Sequence, residues 1–257
     1  YEITAFNEDG KTEVYDVTEF YRMRYTENGV WLLDFNRNAQ QVFDGNLPAV
    51  DNEGLAIGVG SRDIQYMSNP SGEIIAFVQQ GDLWAYHCTA NRFTRIFSFR
   101  QTKNGDERDA NHSHDMKIVR MDKSGDMDFV VYGYFNRGVH EGEVGVGVYR
   151  YINDQNLVEE QVFIPSTESY EFLKKDLGNL SYINEQNQLF LFMGGNLYQV
   201  DIKGHTYQIV RDGIKAGHFV SSTSNASGAW MAGTDIYHCT EIGIINFETG
   251  KTRRIRS

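Results

Sequence analysis

This sequence is short of cysteine, proline and positive charge, and no hydrophobic run in it is long. Its 2 cysteines, Cys88 and Cys239, cannot build a disulfide framework or a cysteine-rich zinc site. Each lies in a Tyr-His-Cys-Thr tetrad, Tyr86–Thr89 and Tyr237–Thr240. A single bridge, or a mixed metal site with His87 and His238, can be drawn; buried free thiols among aromatic strand residues are the simpler expectation. The longest apolar stretches, such as Ile74–Val78 and Phe129–Phe135, have strand length, far short of the roughly 18 residues a membrane span needs. Membrane insertion by this chain is therefore not expected. With 24 Lys and Arg against 35 Asp and Glu, the formal charge is −11, which argues against a nucleic-acid groove. No nucleophile elbow, phosphate loop or dinucleotide fingerprint occurs, and Gly145-Val-Gly147 reads as strand alternation, so no cofactor is expected. No basic, then apolar leader opens the text, and the abrupt start at Tyr1 reads as a fragment of a longer parent.

Aromatic residues and glycine are what the sequence has instead. It carries 16 Phe, 15 Tyr and 3 Trp beside 25 Gly but only 3 Pro, a mixture suited to many short strands joined by tight turns. At 257 residues, with 40% hydrophobic and 23% charged, the chain can bury a core without staples.

One unit recurs: an apolar strand, a polar turn closed by Gly or Asn, and a strongly apolar strand. Its copies are Met23–Leu33 with Gly29, Gln65–Phe77 with Gly72, Ile118–Val131 with Gly125, Ser181–Leu191 with Asn187, and Ser222–Met231 with Gly228. The turn residue is expected to take the positive φ that reverses the chain between paired strands. Turn spacings of 43, 53, 62 and 41 fall near the length of a four-stranded propeller blade. A second strand pair follows each copy: Asp82–Tyr86 with Phe93–Phe99, Val144–Tyr151 with Val158–Ile164, Asn196–Asp201 with Thr206–Val210, and Gly243–Phe247 with Lys251–Ile255. Tyr1–Phe6 with Thr12–Val17 has the same form and no partner before it. Strands such as Ile74–Val78 and Leu189–Phe192 are apolar throughout, which means cover on both faces. Alternating strands such as Val144–Val148 are expected nearer the rim.

A sheet covered on both faces without helices must pack on other sheets, and radial stacking of blades does this. In this pattern the chain resembles a β-propeller: one all-β domain over 1–257, of five or six four-stranded antiparallel blades. Candidate blades are 20–60, 62–100, 114–166, 178–213 and 217–257, and a pair of sandwiched sheets is the competing fold. Ser169–Asp176 predicts one short helix between blades, with Tyr170, Phe172 and Leu173 near one face.

The propeller resemblance implies a functional end carrying the loops between blades and between middle strands. On blade three, the incoming stretch Gln101–His114 and the loop Phe135–Glu143 bring His112, His114, Asp115, Arg137, His140 and Glu141 to that end, with Glu143 beside them. These residues are open to three readings: a solvated loop, a ligand or partner surface, or chemistry by a His–carboxylate pair or a His-bound metal. Asp122-Lys-Ser-Gly-Asp126-Met-Asp128 resembles calcium-binding turns of integrin-type propellers, but Ser124 and Val130 stand where ligands are needed. Five-bladed glycosidases use facing carboxylates, for which Asp34, Asp63, Asp115, Glu141 and Asp235 are the candidates here. The block Tyr132–Val146 looks like uncharacterised bacterial proteins that hold such a domain outside the membrane. The expected function is a non-catalytic, extracytoplasmic module, secreted or in an anchored parent, binding a protein, peptide or carbohydrate; the alternative is a glycan-active enzyme.

Overall fold

The computed structural model describes all residues except 7, 9, 44, 46–53, 56, 59–63, 102–105, 180, 185, 186, 215–217, 222–226, 233–240 and 257. Within the described residues the chain is all-β, with five antiparallel sheets, one α-helix and a short 3-10 turn. The first sheet holds β1 (Glu2–Phe6), β2 (Thr12–Thr26) and β3 (Gly29–Gln41). The second holds β4 (Tyr66–Ser68), β5 (Ile74–Gln79), β6 (Asp82–His87) and β7 (Arg92–Phe97). The third runs β8 (His114–Met121), β9 (Met127–Tyr134), β10 (Val144–Ile152), β11 (Leu157–Pro165). The fourth runs β12 (Ser181–Ile183), β13 (Gln188–Met193), β14 (Asn196–Asp201), β15 (Thr206–Arg211). The fifth runs β16 (His218–Ser221), β17 (Ser227–Ala232), β18 (Glu241–Asn246), β19 (Thr252–Arg256). In every sheet, chain order is spatial order, the up-and-down meander of a propeller blade.

Two compact units divide the chain, Tyr1–Tyr66 with Glu73–His112, and Met67–Gly72 with Ser113–Ser257. In the second unit, the two faces of β13 go to different neighbours. Leu189, Leu191 and Met193 join a core with Val146, Val148, Val162 and Ile164 of the third sheet. Phe190 and Phe192, on the opposite face, join Trp230, Ile245 and Phe247 at the fifth. Phe190 stacks on Phe247 with ring centroids 5.6 Å apart. The period-2 geometry of a strand sends alternate residues to opposite faces, so continuous apolarity is what a sheet between sheets requires. In the first unit Phe43 is the hub, meeting Phe77, Trp84 and Phe93 edge-on at 5.0–5.6 Å.

The turn residues behave as their chemistry demands. Gly29, Gly72, Gly125 and Asn187 all have positive φ. The turn of the fifth copy, 222–226, lies outside the described residues, and Gly228 sits within β17. The predicted helix forms as α1 (Tyr170–Asn179), three residues longer than expected at its end, with Leu173 and Leu177 buried in the core between the third and fourth sheets.

Three sequence expectations are corrected. Thr12–Val17 and Met23–Thr26 are one unbroken strand, β2, so the opening hairpin and the first repeat merge into one three-stranded sheet in place of separate blades. The alternating strand β10 is buried rather than rim-like, because its glycines make room for rings: a Cβ on Gly145 would lie 2.6 Å from the Phe163 ring, and one on Gly147 would lie 2.6 Å from Tyr149. Cys88 is exposed, because β6 ends at His87 and the thiol falls in the following turn; Cys239 lies outside the described residues.

Phe190→Ala should cost about 3–5 kcal/mol, because it empties space between two sheets that cannot close independently. Equilibrium urea unfolding checks this, and a loss below 1 kcal/mol would contradict the two-sided burial of β13.

Candidate functional site

Loop 135–143, between β9 and β10, is held in place by its own backbone and by an aromatic floor. The Phe135 amide donates to the Glu143 carbonyl at 2.9 Å, and the Gly142 amide donates to the Phe135 carbonyl at 2.8 Å. Phe135 is buried and meets Phe163 edge-on at 5.1 Å. The His140 ring lies flat on Phe163, with centroids 3.6 Å apart and planes at 9°. His140 Nε2 is 2.9 Å from Glu160 Oε1, and the Tyr149 hydroxyl donates to Glu160 Oε2 at 2.8 Å. Burial, then the Glu160 contact, pushes the Tyr149 hydroxyl far above its ordinary value, so it stays a donor. Because Gly145 has no side chain, Phe163 can occupy the space that His140 stacks upon. Val139 at the loop tip is 93% exposed, and Glu141 beside it is exposed as well.

His114 and Asp115 open β8, at the end of the third sheet where β9 finishes: the Tyr134 amide donates to the Ser113 carbonyl at 2.8 Å. His114 is buried opposite Gly133, and Asp115 pairs across the strands with Tyr132. Helix α1 packs over this end. Lys174 Nζ stands 3.5 Å from Asp115 Oδ2 and donates to the Tyr170 hydroxyl at 3.3 Å. Burial disfavours the Lys174 charge, but Tyr170 and Asp115 outweigh it and hold the ammonium above its usual range. Burial pushes the hydroxyls of Tyr170 and Tyr132 upward.

Of the six residues picked from sequence, His114, Asp115, Arg137, His140 and Glu141 belong to the second unit and share one end of the third sheet. Within that end they form two groups. Asp115 lies on β8 beside α1, and His140, from the loop, stacks on Phe163 of β11; three strand spacings, roughly 14 Å, separate those strands. His112 belongs to the first unit, where His112 Nε2 lies 3.3 Å from Asp16 Oδ2. Arg100 ion-pairs with the same Asp16 oxygen and reaches Glu2 at 3.4 Å. Burial alone would raise the Asp16 carboxyl, but hydrogen bonds from His112 and Arg100 hold it below its ordinary range. Nearby Asp82 is buried at the start of β6; desolvation pushes its carboxyl up against the opposing pull of Ser98, Arg100, Arg95 and His112.

Lys174, Tyr170, Glu160, Phe163, Asp16 and Arg100 were not anticipated. One signal was present: Tyr170-x-x-x-Lys174 puts both side chains on one helical face. The others come from segments distant in sequence. Among the described residues no three His, Cys, Asp or Glu side chains gather to hold a metal ion. The acidic turn at Asp122 closes on itself: Asp122 Oδ1 accepts from the Ser124 amide at 2.9 Å, the Ser124 hydroxyl at 2.6 Å and the Asp126 amide at 3.1 Å. Buried Asp128 is held between Arg120 and Arg150. Asp63 and Asp235, two of the carboxylates considered for glycan chemistry, lie outside the described residues.

No family model matches the sequence, and no curated protein matches it. Among solved structures, the nidogen/laminin complex is similar at 9% identity and TM-score 0.44, over 86% of this chain and 72% of that one. The WD40 domain of SCAP from fission yeast is similar at 8% and 0.44, over 100% of this chain and 53% of that one. An oligogalacturonate lyase from Vibrio parahaemolyticus is similar at 9% and 0.35, over 100% and 85%. At TM-scores below 0.5 these likenesses add nothing to what the four-stranded meanders establish. Four of the five sheets are four-stranded antiparallel meanders, the form of a β-propeller blade.

Asp16→Asn should lower stability at pH 7 by about 1–3 kcal/mol, since a charge-assisted cluster is broken. The folded-state pKa of Asp16 is depressed, so its contribution is complete above the ordinary value of 3.8 and is lost as pH falls through the lower folded value. Urea unfolding across the acid range should show the wild-type advantage shrinking there; a constant gap would exclude this role.

Proposed function

We propose that this chain is a non-catalytic binding module whose loop 135–143 meets a protein, peptide or carbohydrate ligand. The observation that carries the reading is the anchoring of that loop: His140 stacked on Phe163 and held by Glu160, with Val139 and Glu141 left at the surface. A loop fixed before binding loses little entropy on contact, which favours recognition. His140 then acts as a positioning residue, and Arg137, Val139 and Glu141 are the contact residues.

Two carboxylates at this end of the third sheet, Asp115 and Glu160, are engaged in structure. Asp115 faces Lys174, and Glu160 is shared by His140 and Tyr149. That favours binding over acid–base work. Extracytoplasmic placement is part of the proposal, through the resemblance of Tyr132–Val146; no described helix is long and apolar enough to cross a membrane. The catalytic alternative, a glycan-active enzyme, would draw on the first unit. Asp16 is tied up there by Arg100 and His112, and Asp82 is buried, so neither is placed as a catalytic acid.

Wild-type protein and an Arg137→Ala/Glu141→Ala variant should be compared on arrayed glycans and peptides, with thermal melting alongside. The expected result is a ligand retained by wild type and bound at least about tenfold more weakly by the variant at equal melting temperature. Equal affinity for that ligand would remove the loop from the site, and turnover of an arrayed glycan would favour the enzyme. A separate check on anchoring is His140→Ala, which should speed amide exchange in 135–143 and leave β9 and β10 protected.

A further inference from the structure

Among the described residues, β2 and β3 beyond Val17 and Ala39 pair only with each other, and β1 pairs with Thr12–Asp16. From Thr18 to Asn38 the first sheet is therefore a two-stranded ribbon. Such a ribbon is at best marginally stable in water unless one face is covered.

The register fixes what each face carries. Tyr21 stands opposite Phe35, and after a register shift that skips Leu33, Met23 stands opposite Leu32 and Tyr25 opposite Val30, so these six share one face. Phe20 opposite Asn36, Arg22 opposite Asp34 and Arg24 opposite Trp31 share the other, where the exposed rings of Phe20 and Trp31 alternate with charged and polar side chains. All six residues of the apolar face are exposed, from 44% for Phe35 to 82% for Tyr25. Together they leave roughly 600 Å² of apolar surface open, the size at which a surface patch marks an interaction site.

Two observations choose the occupant. First, the ribbon is electrically balanced: Glu19, Glu27 and Asp34 offset Arg22, Arg24 and Arg37, in a chain whose net charge is −11. It carries no net field to draw an oppositely charged partner, and it lets two acidic chains approach without repulsion at the contact. Second, doubling the area gives about 1,200 Å², the lower bound of a stable specific interface. A second copy supplies that area with matching chemistry in a closed two-fold arrangement.

We propose that the β2–β3 ribbon is a homodimer interface. The apolar faces of two copies pack together with Met23 and Leu32 at the two-fold axis. Tyr25 and Val30 of each copy then cover Tyr21 and Phe35 of the other. The Arg22–Asp34 face stays in water.

Sedimentation velocity of the full chain between about 1 and 100 µM tests this. Wild type should be dimeric in that range, Leu32→Glu monomeric, and Arg24→Ser on the opposite face as dimeric as wild type. A wild type that is monomeric at the highest concentration overturns the proposal, as does a folded Leu32→Glu protein that stays dimeric. Should Leu32→Glu fail to fold, Met23→Cys in a Cys88→Ser/Cys239→Ser background decides. Under mild oxidation it should form a covalent dimer, and Arg24→Cys in the same background should not. Equal cross-linking of both, or of neither, overturns it.

Discussion

Alternation along Leu189–Met193 is the constraint on which the second unit depends. A strand points successive side chains to opposite faces, and both faces of β13 are apolar. Water can cover neither, and α1 lends only Leu173 and Leu177 to one of the two cores. Other sheets must do the rest, so the third and fifth sheets flank the fourth and each meander finds its place in chain order. Aliphatic side chains dominate one interface, whereas Phe190, Phe192, Trp230 and Phe247 join Leu197, Ile214 and Ile245 in the other. The two cores therefore differ in shape and cannot be exchanged without leaving voids.

The same packing builds the loop site. Gly145 and Gly147 give up side chains so that Phe163 and Tyr149 can lie over β10. Those rings then serve the loop: Phe163 carries the His140 stack, and Tyr149 orients Glu160 toward His140. Chemistry at the end of the sheet thus depends on packing one strand away. The charged centre of the third sheet follows a different logic. Asp128 is buried and would be costly alone, so Arg120 and Arg150 close on it, and Arg120 also donates to Asn187 at 2.6 Å. That last bond ties the third sheet to the turn of the fourth.

Much of the fold was legible because hairpins are local. The strand pairs from β6–β7 to β18–β19 follow from turn residues and apolar runs close in sequence. What local pattern could not reveal was strand continuity and cover. The lack of turn chemistry in Thr18–Arg22 was the one sign that β2 runs on, and its exposed aromatics, Phe20 and Tyr21, gave no buried face to confirm it. Val144–Val148 looked rim-like because alternation with Gly imitates a solvent face; only the rings filling the glycine positions reveal burial. Cys88 looked interior by residue type, yet a position one residue beyond a strand is a turn. For the site, the loop residues were visible and their partners were not. Asp16 meets Arg100 across 84 positions, and His140 meets Glu160 across 20, separations that no motif spans.

Methyl and aromatic NOE spectroscopy on selectively labelled protein reads the central packing directly. Leu189 and Leu191 methyl groups should show contacts to Val146, Val148, Val162 and Ile164. Phe190 and Phe192 rings should show contacts to Ile245 and Phe247. Finding both sets on the predicted sides would establish the fourth sheet as the layer between its neighbours. Contacts from Leu189 or Leu191 to Ile245, or solvent-exposed rings at Phe190 and Phe192, would contradict it.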